Sequence, residues 1–483
     1  MKPTKTLVDN PHWAEIAALT RLAFVAGNHS KQALHTQLYI PEIVHLVTLT
    51  AGIGPTFVRK SVYGIVLNYL QSLYSARSDD EELLEVFLLI EEFTKPAILS
   101  LFGLARTTST SEYTDLNPAN DNAFLETQEG LTQLLIRVME TTAGTKGMSL
   151  SVYIYIRMPV NYVPLGLLNV WRARWMGLVT SLAFQHSPAI QSRAFIALGM
   201  LATTDVDDDL VYQMLVAFKT ALAQSNETDT TSVVCMLRCI SKIVTALPSS
   251  SKYFTQLFWL AVALLQASHF AFYVQAADLL RQTLEKLRIH AAFHEGSVGE
   301  FLLEGRIHLE ETLGQLDQLL GLSFETSFSF SLVSVIFKGI RHSALKGAAE
   351  AVLRSLLRAT VEAHQQAGST TEGTLLPDAL GYFLALIPLS TTPKSYERLL
   401  RECQVPDFEI IQETTVPRIS LAFIGLDDAN TALLMTSFVG AMLMTAQGDD
   451  AETQMLYTLL ADVATVFPDV VSMAYVFHLA FHN

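Results

Sequence analysis

Residues 38–74 read LYIPEIVHLVTLTAGIGPTFVRKSVYGIVLNYLQSLY, and this stretch decides the fold that the sequence predicts. Apolar residues recur at spacings 0, 3, 4 and 7 in residues 40–47, the pattern of one face of an amphipathic helix. Glycine and proline in residues 52–55 break that helix, and a second apolar face follows in residues 58–70. The stretch therefore predicts a helical hairpin, which buries its apolar face by packing against a neighbouring unit.

The apolar pattern of the second helix, with spacings 0, 4, 7, 8 and 11, recurs further along the chain. It returns in residues 190–201, 233–244, 276–287 and 345–356, with Ser241 and Thr283 each filling one slot. The first three of these faces begin 43 residues apart, within the ~40–47-residue period of HEAT and armadillo repeats. We therefore predict an all-α fold, a HEAT/armadillo-like α-solenoid of stacked helical hairpins.

The sequence predicts five segments along the chain. They are residues 1–147 (N-terminal helical repeats, expected to be truncated at the start), 148–168 (an irregular insertion), 169–389 (central HEAT-like repeats), 390–417 (a Pro-punctuated connection) and 418–483 (C-terminal helices). The insertion is rich in β-branched and aromatic residues and is interrupted by proline. Retained intron sequence and an irregular loop between repeats both account for it.

An acidic charge and few cysteines limit what the chain binds and where it functions. It carries 32 Lys and Arg against 47 Asp and Glu, a net charge of −15. Phosphate binding needs clustered Lys and Arg, so we expect no nucleic-acid partner. The three cysteines, Cys235, Cys239 and Cys403, are too few for a disulfide framework and suit a reducing compartment.

Two uncharged stretches, residues 253–277 and 429–448, are long enough to span a membrane. Gln, Ser and His interrupt the first, and Asn, Thr and Gln interrupt the second. The sequence therefore predicts helices buried inside the solenoid, with a polytopic membrane protein as an alternative.

Four arginines on the predicted repeat helices, Arg59, Arg193, Arg341 and Arg354, are the candidates for a catalytic arginine finger. Such a residue adds positive charge to the phosphate in GTP hydrolysis and usually extends from an exposed loop. These four lie beside apolar helix faces, where an arginine packs its stem and pairs with a carboxylate. We therefore predict structural roles for all four.

His290 and His294 have the i, i+4 spacing of two metal ligands on a helix, and Glu295, Glu304 and His308 lie nearby. The glutamate that zinc proteases place between the two histidines is missing, and Gly296 follows directly. Exposed histidines at a helix end are therefore the preferred interpretation, and we predict no metal ligand.

The remaining candidates for chemistry are also better explained by structure. Cys235 and Cys239 share a helix face with core residues and are predicted to be small buried side chains. Pro55 follows Gly52 and Gly54 and lacks the N–H that a phosphate-binding loop uses. Residues 296–299 lack the spacing of a nucleophile elbow. The sequence therefore predicts no catalytic, cofactor-binding or metal-binding residue and no enzyme activity.

Long segments of the chain resemble neurofibromin-type Ras GTPase-activating proteins and their fungal relatives. The resemblance lies in residues 38–74, in SLAFQHSPAIQSRAFIALGML (residues 181–201) and in LGLSFETSFSFSLVSVIFKGIRHSALKGAAEAVLRSLL (residues 320–357). LFWLAVALLQ (residues 257–266) and LLADVATVFPDVV (residues 459–471) are similar as well. The matching part of that family is its C-terminal helical-repeat region, and nothing in the chain resembles the GTPase-activating domain.

The resemblance implies a non-catalytic α-solenoid scaffold in a negative regulator of Ras signalling. It also implies a homodimer, contacts with the rest of a longer regulator chain, and a cytoplasmic protein that acts peripherally at membranes where Ras resides. The alternative is a free-standing HEAT-type adaptor or trafficking scaffold with unrelated partners.

Overall fold

The computed structural model describes the chain as a set of helices with gaps between them. The described residues are 6–27, 38–76, 80–104, 121–143, 165–185, 187–203, 206–225, 230–267, 270–293, 297–320, 322–325, 328–340, 342–366, 376–386, 389–390, 392–403 and 461. Regular structure in these residues is entirely helical, without a β-strand. This confirms the predicted all-α class and is consistent with an α-solenoid.

The chain divides into two compact units, residues 1–246 and 247–483. The first contains α1 (Trp13–Ala26), α2 (Ile40–Thr50), α3 (Thr56–Ala76), α4 (Asp80–Phe93), α5 (Pro96–Leu101), α6 (Asp121–Ala143), α7 (Leu165–Ala183), α8 (Pro188–Leu201), α9 (Asp208–Gln224) and α10 (Thr231–Val244). The second contains α11 (Tyr253–Gln266), α12 (Phe270–Ile289), α13 (Val298–Glu304), α14 (Glu310–Leu320), α15 (Phe328–Ile340), α16 (Lys346–Gln366), α17 (Leu380–Leu386) and α18 (Pro393–Glu402). Single 3₁₀ turns lie at Ile307–Leu309 and Pro377–Ala379.

The predicted hairpin of residues 38–74 is present as α2 and α3. Pro41 lies in the first turn of α2, where its missing N–H is not needed. Gly52 and Gly54 have positive φ angles of 73° and 77°, a conformation that glycine adopts without strain. A Cβ atom on Gly54 would lie 2.4 Å from a ring carbon of Trp13, so α1 packs tightly against this turn.

The predicted apolar faces form the core of both units. Ile43 and Ile190 are half-buried, and the other residues of the predicted faces are buried. In the first unit α8 packs against α10, where a Cβ atom on Gly199 would lie 3.0 Å from the Cα atom of Cys239. The helical periodicity is therefore confirmed, whereas HEAT-like stacking remains a prediction.

In the second unit, α12 packs against α11 and α16. The hydroxyl of Tyr273 on α12 donates a hydrogen bond of 2.7 Å to the carbonyl of Ile336 on α15. Residues 253–277 divide between α11 and α12, and no helix in the described part of the chain is long and apolar enough to cross a membrane. Residues 429–448 lie outside the described residues.

The predicted segment boundaries remain predictions. α7 begins at Leu165, within the last residues of the predicted insertion 148–168. The rest of that insertion and, apart from Ala461, the predicted C-terminal helices of residues 418–483 lie outside the described residues.

Candidate interaction surface

Arg193 on α8 is a buried structural residue. Its Nη1 atom donates hydrogen bonds to the carbonyls of Ala51 (2.8 Å) and Thr48 (3.4 Å) at the C-terminal end of α2, and to Oε1 of Gln128 (3.3 Å). Its guanidinium carbon lies 5.8 Å from the ring centre of Phe124. Burial lowers the pKa of Arg193 to about 10, so the side chain stays charged at neutral pH.

The prediction that Arg193 pairs with a carboxylate is therefore wrong within the described residues. A helix C-terminus carries partial negative charge on carbonyls that have no partner in the helix. These carbonyls of α2 take the place of a carboxylate. Sequence periodicity cannot reveal this contact, because it joins residues 142 positions apart.

Arg59 and Arg354 are also held within the fold. Arg59 is buried and donates hydrogen bonds to the carbonyl of Gly103 (2.5 Å) and to Oγ1 of Thr56 (3.2 Å). Arg354 on α16 pairs with Glu350 at 2.9 Å and Glu402 at 2.5 Å, which confirms the carboxylate pairing predicted for it. None of these side chains is exposed on a loop. Arg341 lies outside the described residues.

The candidate cysteines are buried, and the one candidate histidine of the predicted pair that the structure describes is half-buried. Cys235 and Cys239 are buried in α10, as predicted, and burial raises the pKa of the Cys239 thiol well above its usual range. His290 is half-buried, with its ring centre 6.0 Å from that of Phe254, so the prediction of an exposed histidine is wrong at this position. His294 and Glu295 lie outside the described residues, so the predicted absence of a metal site there remains a prediction.

A buried cation–aromatic cluster in the second unit went undetected at the sequence level. The guanidinium carbon of Arg306 lies 4.4 and 4.7 Å from the ring centres of Trp259 and Phe324, and Arg306 pairs with Asp317. Asp317 also accepts a hydrogen bond of 3.2 Å from Nε2 of Gln266. These charge and ring contacts join α11, α14 and the turns that carry Arg306 and Phe324, which favours a structural role.

A cavity of about 180 Å³ lies beside this cluster. It is lined by Leu265, Gln266, Leu320, Leu322, Ser334, Val335 and Lys338. Lys338 Nζ already donates a hydrogen bond to the carbonyl of Ala267, and burial lowers the pKa of Lys338. The lining is mainly apolar and its amine is engaged, so the cavity has no convergent set of reactive groups.

Two groups of exposed apolar side chains in the first unit suit a function as contact sites. The α1 face is formed by Leu19, Leu22 and Val25, and the α4 face by Leu84, Phe87 and Leu88 of α4 together with Tyr74 at the end of α3. Their exposed fractions are 64%, 62% and 65% on α1, and 57%, 45%, 53% and 41% on the α4 face. Large apolar side chains grouped on one helix face are typical of sites of protein contact.

The described residues thus form an all-helical structure in which the candidate residues Arg59, Arg193, Arg354, Cys235 and Cys239 are held within the fold, and its exposed apolar faces suit protein contacts. Along most of its length the chain is similar to inhibitory regulator proteins of Saccharomyces cerevisiae. Inhibitory regulator protein IRA2 is 22% identical over 467 residues, which cover 93% of this chain and 14% of IRA2. Inhibitory regulator protein IRA1 is 21% identical over 457 residues, with the same two coverages of 93% and 14%.

These similarities support a distant relation to the yeast regulators over nearly the whole chain. The chain spans 14% of the length of either relative. No protein-family model matches the chain.

Proposed function

We propose that the chain is a non-catalytic helical scaffold region of a neurofibromin-type inhibitory regulator of Ras signalling. The observation that carries the proposal is the alignment of 93% of the chain with both yeast inhibitory regulators. The buried positions of Arg59 and Arg193 support it, because a finger arginine must reach a bound nucleotide.

In this proposal the region acts as a structural support that positions other parts of a regulator. Packed helices form a stiff support, and their exposed apolar faces hold other parts of a longer regulator or a second copy of the chain. The working location is the cytoplasmic side of membranes where Ras resides. The region would influence GTP hydrolysis by Ras by positioning another module, without supplying a catalytic group.

A chimera of yeast IRA2 tests the scaffold role. The segment of IRA2 that aligns with this chain is either deleted or replaced by the 483-residue chain, and Ras-bound GTP is measured in cells that lack the native protein. We expect GTP-bound Ras to accumulate with the deletion and to return toward the normal level with the replacement. An expressed chimera that behaves like the deletion would favour the free-standing adaptor.

A second assay tests the absence of catalysis. The purified chain is added to GTP-loaded Ras, and phosphate release is followed over time. We expect the intrinsic rate, whereas an arginine finger accelerates hydrolysis by about 10³–10⁵-fold. Acceleration that is lost in Arg59→Ala or Arg193→Ala, in a variant that remains folded, would overturn the non-catalytic assignment.

A further inference from the structure

The α4 face is unusual because its apolar side chains point away from the core. Val86 and Phe93 of α4 are fully buried, so the helix already has an inward apolar face. Leu84, Phe87 and Leu88 lie at spacings 0, 3 and 4 on the opposite side. A helix with two apolar faces buries one in its own fold and leaves the other for a partner.

Tyr74 extends this surface beyond α4. Its side chain is exposed at the end of α3, and its ring centre lies 6.3 Å from that of Phe87. The apolar surface therefore continues across two helices, as in surfaces that receive the apolar stripe of another helix.

Acidic side chains border the α4 face. The sequence of α4, DEELLEVFLLIEEF, contains six acidic residues and no basic residue. Glu85 and Glu91 are exposed beside the apolar side chains, and neither has an ion-pair partner among the described residues, whereas Glu92 is held by Arg137. Free carboxylates at the border of an apolar surface favour a partner with positive charges at matching positions.

We propose that the α4 face binds a basic amphipathic helix of a partner protein, with its apolar stripe on Phe87 and Leu88 and its Lys or Arg side chains facing Glu85 and Glu91. A second copy of the α4 face would bring like charges together, and an anionic lipid surface would be repelled by the same carboxylates. The proposal goes beyond the proposed function and does not depend on the link to Ras.

The test is a binding titration with a peptide of the stated chemistry. The probe is a labelled synthetic helix of about 18 residues, or five turns, with Leu at spacings 0, 3, 4 and 7 and Lys elsewhere. Fluorescence anisotropy follows its binding to the full chain and to Phe87→Ser/Leu88→Ser. We expect the double variant to bind at least about tenfold more weakly.

A matched control separates the α4 face from exposed apolar surface in general. Leu19→Ser/Leu22→Ser removes two similarly exposed leucines from the α1 face, and we expect it to leave peptide binding unchanged. Glu85→Gln/Glu91→Gln should weaken binding and reduce its dependence on salt. Circular dichroism melts establish that each variant is folded.

Several outcomes would overturn the proposal. Equal losses in the α1 and α4 variants, or equal binding of a peptide with Glu in place of Lys, would remove the assigned specificity. Self-association in sedimentation that Phe87→Ser/Leu88→Ser abolishes would identify a second copy as the occupant. Co-sedimentation with phosphatidylserine vesicles that the same variant abolishes would identify a lipid surface.

Discussion

Arg193 in the first unit and Arg306 in the second are both buried, but different groups balance their charges. Arg193 is bound by carbonyls at the end of α2 and by the amide of Gln128. Arg306 is paired with a carboxylate, Asp317, and contacts the aromatic rings of Trp259 and Phe324. One charge is bound by neutral acceptors, whereas the other is paired with an ionised carboxylate.

This difference changes how each site responds to substitution. When a buried ion pair loses one partner, the remaining charge is left in a medium of low dielectric constant. When a charge is shared among several neutral acceptors, each acceptor contributes a modest part. We therefore expect the loss of Asp317 to cost more stability than the loss of a single neutral acceptor of Arg193.

The largest effect is expected for a charge placed on α8 away from the carbonyls of α2. Leu198 is fully buried on the same helix as Arg193, and Leu198→Asp introduces a carboxylate among apolar side chains. We expect the free energy of unfolding in urea to fall by about 4 kcal/mol or more. Leu198→Met, the matched control, should cost less than about 1.5 kcal/mol. Equal stability of the two variants would mean that α8 accepts charge without specific ligands.

A smaller loss in the free energy of unfolding is expected when Arg306 loses its carboxylate partner Asp317. Asp317→Ala removes the carboxylate from the buried guanidinium, and we expect a loss of about 3 kcal/mol in the free energy of unfolding. Arg306→Met/Asp317→Leu removes both charges and should recover much of that stability. A double variant less stable than Asp317→Ala would show that the aromatic contacts of Arg306 outweigh its ion pair.

Removal of the Arg193 charge should lower the free energy of unfolding by a still smaller amount. Arg193→Met keeps most of the side-chain volume but leaves the carbonyl of Ala51 without this donor. We expect a loss of about 1–2 kcal/mol, because a buried acceptor without its partner costs about that much. Gln128→Ala should cost about 1 kcal/mol, since the carbonyls of α2 remain bound to Arg193. If Gln128→Ala and Asp317→Ala lost equal stability, the two sites would not differ in their sensitivity to single substitutions.

The sequence predicts the core of both units well but does not predict these two sites. Helical periodicity placed Ala194 and Leu237 in the core, and both are fully buried. The period of a helix fixes which residues share a face, so one sequence is enough for that inference. The partners of Arg193 and Arg306 come from other helices, and their spacing along the chain has no period.

The α4 face illustrates a second limit of the sequence. Leu84, Leu88 and Phe87 have a spacing that a buried helix face also shows. Periodicity identifies an apolar face, but only the packing of α4 through Val86 and Phe93 shows that a second face is exposed. The binding surface therefore becomes apparent only once the helices are placed.

The smallest expected effect concerns the half-buried His45 on α2. Burial lowers the pKa of His45 on α2 below the usual value of 6.5 and outweighs the opposing charge of Glu42. Below pH 6.5 the unfolded state therefore binds more protons than the folded state, and the free energy of unfolding falls as the pH falls. His290, which directly follows α12, also has a pKa lowered by burial, so His45 accounts for part of this fall.

Urea titrations between about pH 7.5 and 5.5 would measure this contribution, because most carboxylates stay ionised in that range. We expect His45→Gln to lose less stability than the parent chain between these two pH values. His12→Gln is the comparison variant at an exposed histidine, and the difference between the two variants measures the contribution that is particular to His45. If His45→Gln and the parent chain lost equal stability, His45 would be protonated in the folded state without penalty, and α2 would hold charge at His45 as readily as its C-terminal carbonyls hold Arg193.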